Sequence, residues 1–389
     1  MHKVIAVFLG LVAGTALPVL AEPYVLSDLE GGTAAPAARQ RFEHGGRTVD
    51  VDRASGKVRI GGRTMARFLW VLVVLGMILA SSEVVAEQSL RFRKNGTFKI
   101  VQFTDLHWGN GSAQDQQTLA LMAAVLDVEQ PDLVVFTGDN IGGGKCLSAA
   151  NAIRAFTRPC IERRTPWAAV FGNHDDECHA SREEQMRIMR ELDYCLAEPG
   201  PKAVSGVGNY ILPIRASHGR KTAARLYLLD SHGDSQVPGI EGYAWVKPDQ
   251  IEWYRTQALK HRHTEDAEPL PALAFFHIPL PEFDTVWDRG NCIGEKNESV
   301  CCPQINSGLF AALLEVGDVL GVFVGHDHVN DYMGNLAGIW LAYGRGTGFD
   351  TYGKEGFPRG ARVILLEEGK RDFKTWLRLD GNDVVEQGM

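Results

Sequence analysis

Five short stretches of this chain set carboxylate, amide and imidazole groups at close spacing. They are TDLH (Asp105, His107), TGDN (Asp139), GNHD (Asn173, His174), FFHIP (His277) and GHDH (His326, His328). These side chains are hard or borderline ligands for divalent and trivalent cations. In extended backbone, residues i and i+2 point the same way, so the D-x-H and H-x-H pairs each aim two donors at one point. Each stretch alone has an ordinary explanation. An Asp after a strand caps a turn, G-N and G-D pairs are turn chemistry, and a single His among apolar residues is usually hydrogen-bonded in a core. Their coincidence at the ends of separate apolar runs points to a metal site.

The elements that must position these groups read clearly. FKIVQFTD, DLVVFTGD, PWAAVFGNHD, PALAFFHIP and DVLGVFVGHDH are strand candidates, each running directly into one polar set. Between them lie helical patterns: AQDQQTLALMAAVLDVEQ (stopped by Pro131), LSAANAIRAFTRP, SREEQMRIMRELDYCL, KPDQIEWYRTQALKHRH and NSGLFAALLEVG. A serine cap with an acidic first turn marks one start, and a proline near the first turn marks another. NYILPI and RLYLLD form a candidate strand pair, and IWLAYG, ARVILLE and FKTWLRL close the chain. Such alternation predicts a layered α/β domain, and the late strands predict a mixed sheet or two sheets. Where strands run mainly the same way, their C-terminal ends share one edge, the usual place for ligands. No internal repeat is visible.

The order D-x-H, G-D, G-N-H-D, H, G-H-x-H resembles the calcineurin-like metallophosphoesterases. PWAAVFGNHDDE, FFHIPLPEF, NSGLF, GHDHVNDY and TWLRLD resemble, more narrowly, the purple acid phosphatase 28/29-like subgroup, from about Phe98 to Gly381. The resemblance implies a four-layer α/β sandwich of two mixed β-sheets flanked by helices, with a two-metal site at the strand ends. Carried over position by position, it implies that Asp105, His107 and His328 hold one metal and Asn173, His277 and His326 the other. Asp139 would bridge them, and His174 would sit beside the substrate, binding none. The implied reaction is hydrolysis of phosphomonoesters by a metal-bridging hydroxide, with no covalent intermediate. The same site also suits a phosphodiesterase acting on nucleotides or lipid headgroups, or a non-catalytic phosphate- or protein-binding module. Imidazole with carboxylate suits iron, zinc or manganese alike. The chain departs from true purple acid phosphatases in two places: Gly142 stands where they carry a tyrosine, and His107 where they carry a glycine. The tyrosinate colour should therefore be absent.

Weaker signals surround these motifs. Arg345, in YGRGTG, is a candidate phosphate-binding guanidinium, or a surface arginine. Asp175, Asp176 and Asp331 adjoin ligand motifs and either orient histidines or cap turns. Trp108 either walls the cleft or packs inside.

The first 87 residues need separate treatment. Residues 1–64 begin with MHKVIAVFLGLVAGTALPVLA, a signal-like segment with small residues at Val19 and Ala21, and continue with a Gly-, Arg- and Ala-rich stretch expected to be poorly ordered. Residues 65–87 hold a second such segment, with Arg67 ahead of an apolar core and small residues at Val84 and Ala86. That core, 68–80, is about 13 residues, shorter than the about 20 of a membrane span. A misjudged start, with translation from Met65, is the preferred reading, and a membrane anchor through 68–80 the alternative. Either predicts export of a metallophosphoesterase domain over 88–389. The seven cysteines suit export, with a disulfide among Cys292, Cys301 and Cys302 as one option. No C-x-x-C pattern suggests structural zinc. Asn95, Asn110 and Asn297 lie in glycosylation patterns. A formal net charge of −8 without a basic run argues against a nucleic-acid partner. Oligomeric state is not legible.

Overall fold

The computed structural model describes residues 39–44, 47–52, 57–60, 63–65, 89–260 and 268–387. The chain divides into two compact units, Met1–Ala86 and Glu87–Met389.

In the first unit, β1 (Arg39–His44), β2 (Arg47–Asp52), β3 (Lys57–Ile60) and β4 (Arg63–Met65) form an antiparallel sheet in chain order. Within the stretch expected to be poorly ordered, the described residues are those of these four strands. Pairing closes at His44↔Arg47 and Ile60↔Arg63, each across a Gly-Gly dipeptide. Two-residue glycine connections are a strong hairpin signal, and it outweighs the polar composition. The first signal-like segment and the apolar core 68–80 lie outside the described residues. Among the described residues, no helix is long and apolar enough to cross a membrane.

The second unit runs β5 (Thr97–Phe103), α1 (Ala113–Glu129), β6 (Leu133–Thr137), α2 (Ala149–Glu162), β7 (Trp167–Val170), α3 (Arg182–Arg190), β8 (Tyr210–Arg215) and β9 (Thr222–Leu228). It continues with α4 (Pro248–Lys260), β10 (Ala272–Phe275), α5 (Glu282–Asp288), α6 (Leu309–Val316), β11 (Val319–Val324), β12 (Met333–Leu336), β13 (Ile339–Tyr343), β14 (Gly360–Glu367), β15 (Phe373–Leu379) and β16 (Val384–Glu386). Two six-stranded mixed sheets result, in the orders β16-β15-β14-β5-β6-β7 and β12-β13-β11-β10-β9-β8. β5, β6 and β7 are parallel in one; β9, β10, β11 and β13 are parallel in the other.

The sheets meet face to face. Phe323 of β11 stacks on Phe275 of β10 at 5.2 Å and meets Phe373 of β15 in the other sheet at 5.5 Å. Helices α1 to α3 pack on the first sheet; Phe156 of α2, for example, meets Phe136 of β6 at 5.2 Å. Helices α4 to α6 cover the second sheet. This is the α/β four-layer sandwich expected.

Local differences have physical causes. β12 was not foreseen, because MGNL is poor in strand-forming residues and is held by pairing with β13. α5 has only seven residues, too few for a helical period to emerge. α2 passes its proline and ends at Glu162, with Pro159 buried against the core.

Candidate metal centre

The parallel strands of both sheets release their chains at one edge, and all five polar sets lie there. Backbone pairing runs past the strand ends. Asp105 N–H donates to Gly138 O (3.1 Å), His107 N–H to Asp139 O (2.9 Å) and Gly325 N–H to His277 O (3.1 Å). The loop after His107 is anchored by buried Asp115, which accepts from the N–H groups of Gly109, Gly111 and Ser112 and caps α1.

Four of the donor residues have left-handed backbone: Asp105 (φ 55°), His107 (46°), Asp139 (48°) and His326 (78°). This conformation is uncommon for residues with a Cβ and costs on the order of 1–3 kcal/mol each. Four such costs at one strand edge are characteristic of a functional site, not of ordinary loops.

The side chains converge. Asp105, His107, Asp139 and His328 each place one ligand atom within 4.8 Å of the others, and Asp139, His277 and His326 do the same. Asp139 belongs to both groups. His107 Nε2 lies 3.1 Å from His328 Nε2, and His326 Nδ1 lies 3.2 Å from His277 Nε2. Asp139 Oδ2 is 3.1 Å from His277 Nε2 and 3.6 Å from His107 Nε2. His328 Nε2 is 3.6 Å from Asp105 Oδ1. Outer contacts set the tautomers. His277 Nδ1–H donates to Thr137 O (2.8 Å) and His328 Nδ1–H to Tyr352 O (3.3 Å), so each ring, when neutral, turns an unprotonated Nε2 inward.

Whether these residues fit a metal pair is tested by what they lack. Asn173 Oδ1 and His326 Nε2 are buried with no hydrogen-bond partner, and buried Asp139 Oδ2 meets only imidazole nitrogens, His277 Nε2 being nearest at 3.1 Å. A buried acceptor left bare costs about 1–3 kcal/mol. A cation is the natural partner for a carboxylate oxygen, an amide oxygen and facing imidazole nitrogens. Burial lowers His107 and His328 to about 4, so both are neutral donors near pH 7. Burial also opposes charge on His277, but Asp139 and Asp105 outweigh it and push that imidazole up to about 9. The field at this end of the site therefore favours positive charge. The donor set is compatible with two cations, with Asp139 common to both groups of donors.

His174 stands at the rim. Its ring centroid is 5.0 Å from that of His107, and its Nδ1–H donates to Glu177 Oε1 (2.7 Å). Its backbone N–H donates to Asp139 Oδ1 (2.8 Å). Glu177 escaped the sequence reading; its spacing of three from His174 on a helical turn was the available signal. Asp175 orients no histidine. It accepts from Gly172 N–H (2.7 Å) and Ile141 N–H (3.0 Å), fastening the Asp139 loop to the Asn173 loop. Burial, then Asp139, pushes its carboxyl up to about 7. Asp176 pairs with Arg182, and Trp108 packs in the core.

Arg345 is not available to a phosphate. It is 3% exposed, ion-paired to Asp331, donates from Nε to Pro358 O (2.7 Å) and lies 3.2 Å over the Phe357 ring. Asp331 is thus an arginine partner, not a histidine orienter. Other side chains line the site where sequence gave no sign. Tyr352 stacks on His328 at 4.0 Å, and Tyr243 meets His326 edge-on at 4.5 Å. Arg359 donates to Thr351 O (2.9 Å) and Tyr352 O (2.7 Å), and Asp105 lies in its field.

Two glycines are required by close approach. At Gly138 (φ 93°) a Cβ would stand 2.5 Å from His277 Nδ1. At Gly142 it would overlap the His107 carbonyl oxygen. A tyrosine at 142 is thus incompatible with the backbone that His107 adopts, which ties together the two departures noted in the sequence.

The calcineurin-like phosphoesterase profile matches residues 98–330. A protein of Arabidopsis thaliana named "Probable inactive purple acid phosphatase 29" is 37% identical over 359 residues, covering 82% of this chain and 92% of its own length. "Phosphatase DCR2" of Saccharomyces cerevisiae is 36% identical over 332 residues, covering 76% of this chain and 56% of its own. A solved dimetal phosphatase from Danio rerio superposes with a TM-score of 0.47 at 12% identity, covering 72% of this chain and 98% of that one. On the profile and the Arabidopsis relative, this chain belongs to the calcineurin-like phosphoesterase family.

Proposed function

We propose that this chain is a metal-dependent phosphatase hydrolysing phosphomonoesters at the Asp139-centred cluster. The observation that carries this reading is the shared position of Asp139, one buried carboxylate common to two donor groups, whose Oδ2 faces only imidazole nitrogens. Asp105, His107, Asp139 and His328 would hold one ion of iron, zinc or manganese and Asp139, His277 and His326 a second, and such ions would supply Lewis acidity and activation of water near neutral pH.

The protein's own groups do the rest. Asp105 accepts the His326 N–H (3.0 Å), which locks the two strand ends in register. His174, with Nδ1–H committed to Glu177, presents Nε2 to hold charge on the phosphoryl oxygens or to move a proton to the leaving alcohol. No side-chain nucleophile is required. Cys301, whose N–H donates to Asp327 next to His326, is a poor one: burial, then Asp327, pushes its thiol up to about 12.

The test is hydrolysis of an aryl phosphate by metal-loaded protein, beside the matching diester. Turnover of the monoester, abolished in Asp139→Ala and His277→Ala, supports the reading; preference for the diester replaces it with the phosphodiesterase. A second reading is a non-catalytic phosphate- or protein-binding module, favoured by the word "inactive" in the Arabidopsis relative's name. Phosphate binding without turnover would select it.

We also propose export, on the two signal-like segments alone, with no nucleic-acid partner. A start at Met65 would leave out nearly all of the β1–β4 sheet. The mass of the mature N-terminus and the fraction that holds the protein decide: a chain beginning after Ala86 agrees with cleavage of the second segment, a membrane-bound chain retaining 65–86 selects the anchor, and an uncleaved chain in the cytosol contradicts export.

A further inference from the structure

We propose that Cys146 and Cys178 form an intramolecular disulfide that clasps the Asp139 loop to the loop carrying Asn173 and His174. Their sulfur atoms lie 2.8 Å apart, inside the ordinary non-bonded separation of two sulfurs, so a small side-chain rotation brings them to bonding distance. Both are nearly buried, at 4% and 5% exposure. Each follows a single helical turn, Gly143–Lys145 in one loop and His174–Glu177 in the other. The two turns touch directly, since a Cβ at Gly143 would overlap Glu177 Oε2. Glu177 in turn holds His174. A bond between the turns would therefore fix the carboxylate that orients His174.

The cysteines singled out in the sequence behave differently. Cys292 Sγ faces Val286 O (3.4 Å) and Cys301 Sγ faces Ser299 O (3.6 Å). The sulfurs of Cys146 and Cys178, by contrast, are in direct contact.

The chemistry is thiol–disulfide exchange with a small disulfide such as oxidised glutathione. One cysteine thiolate attacks an oxidant sulfur and expels a glutathione thiol. The other cysteine then attacks the protein sulfur of the mixed disulfide and expels the second. One protein S–S bond and two glutathione S–H bonds form, at the expense of two protein S–H bonds and the oxidant's S–S bond. Two electrons and two protons pass to the oxidant. Burial, then Cys178, pushes the Cys146 thiol up to about 12, so exchange proceeds during folding or when the loops part.

The experiment is a peptide map of the full chain after incubation with oxidised glutathione, denaturation without reductant, and alkylation. The expected result is one linked pair, Cys146 with Cys178, released by reductant and missing in Cys178→Ser. Cys160→Ser, which alters a buried cysteine elsewhere, should retain the link. Oxidised protein should melt about 5 °C above reduced protein, a comparison that needs no substitution. Alkylation of both Cys146 and Cys178 in oxidised protein, or linkage of either to another cysteine, would overturn the proposal. The consequence for His174 rests on the phosphatase reading. It predicts a several-fold fall in kcat on reduction with metal content unchanged. The covalent map is independent of turnover, so a protein without activity would still decide the disulfide.

Discussion

Glu129 and Asp139 are two of the buried carboxylates in the second unit, and they are partnered differently. Glu129, at the end of α1, is 3% exposed. Its Oε1 accepts from Trp376 Nε1 (3.1 Å) and from Arg378 Nε and Nη2 (2.8 and 2.6 Å), and its Oε2 from Lys99 Nζ (3.1 Å). Asp139, just past the end of β6, is 1% exposed, has left-handed backbone and turns Oδ2 only toward imidazole nitrogens, His277 Nε2 at 3.1 Å and His107 Nε2 at 3.6 Å. Both are held below the usual carboxylate range, although burial opposes it: Glu129 by Trp376, Arg378 and Lys99, Asp139 chiefly by His277. A charge retained for architecture is completed by protein donors. A charge retained at a strained strand end, among bare imidazoles, awaits a partner that the chain does not supply.

Substitution should separate the two sharply. Asp139→Ala is expected to reduce phosphomonoester turnover on the order of 10³-fold or more, with little loss of stability, because it also removes a buried charge. Steady-state kinetics and a melting curve check both halves. Glu177→Gln removes the charge that orients His174. A drop of about 10–100-fold in kcat is expected, with metal content unchanged, as measured by turnover beside elemental analysis.

Glu129→Gln should do the reverse. It is expected to leave metal content and turnover intact and to cost about 1–3 kcal/mol in denaturant unfolding. The same residue predicts a pH dependence. Its folded pKa lies below its unfolded value, so its contribution is present above about pH 4.3 and is lost as pH falls through the lower folded value. Glu129→Gln should flatten that acid limb of the stability curve. The smallest effect is spectroscopic: iron-loaded protein should show no tyrosinate band, because position 142 is glycine and cannot be otherwise beside His107.

Much of the site was legible because apolar runs ending in ligand residues report both a strand and its direction. Asp105, His107, Asp139, Asn173, His174, His277, His326 and His328 could be named from that pattern, and the sheets follow from the same alternation. What stayed hidden depends on tertiary pairing. Arg345 follows a strand among glycines, just as a phosphate-binding arginine would. Only its pairing with Asp331 and its stacking on Phe357 reveal a structural role. Tyr243 and Tyr352 reach the histidines from loops with no periodicity to place them. The left-handed conformations at Asp105, His107, Asp139 and His326 are invisible too, since each is imposed by the fold against local preference.

The most direct test of the central claim is the transition-metal content per chain of purified, chelator-washed protein, wild type beside Asp139→Ala. Two bound ions in the wild type, falling to one or none in the variant, is the predicted result. Wild-type protein that retains no metal, or a variant that keeps the full complement, would contradict the account.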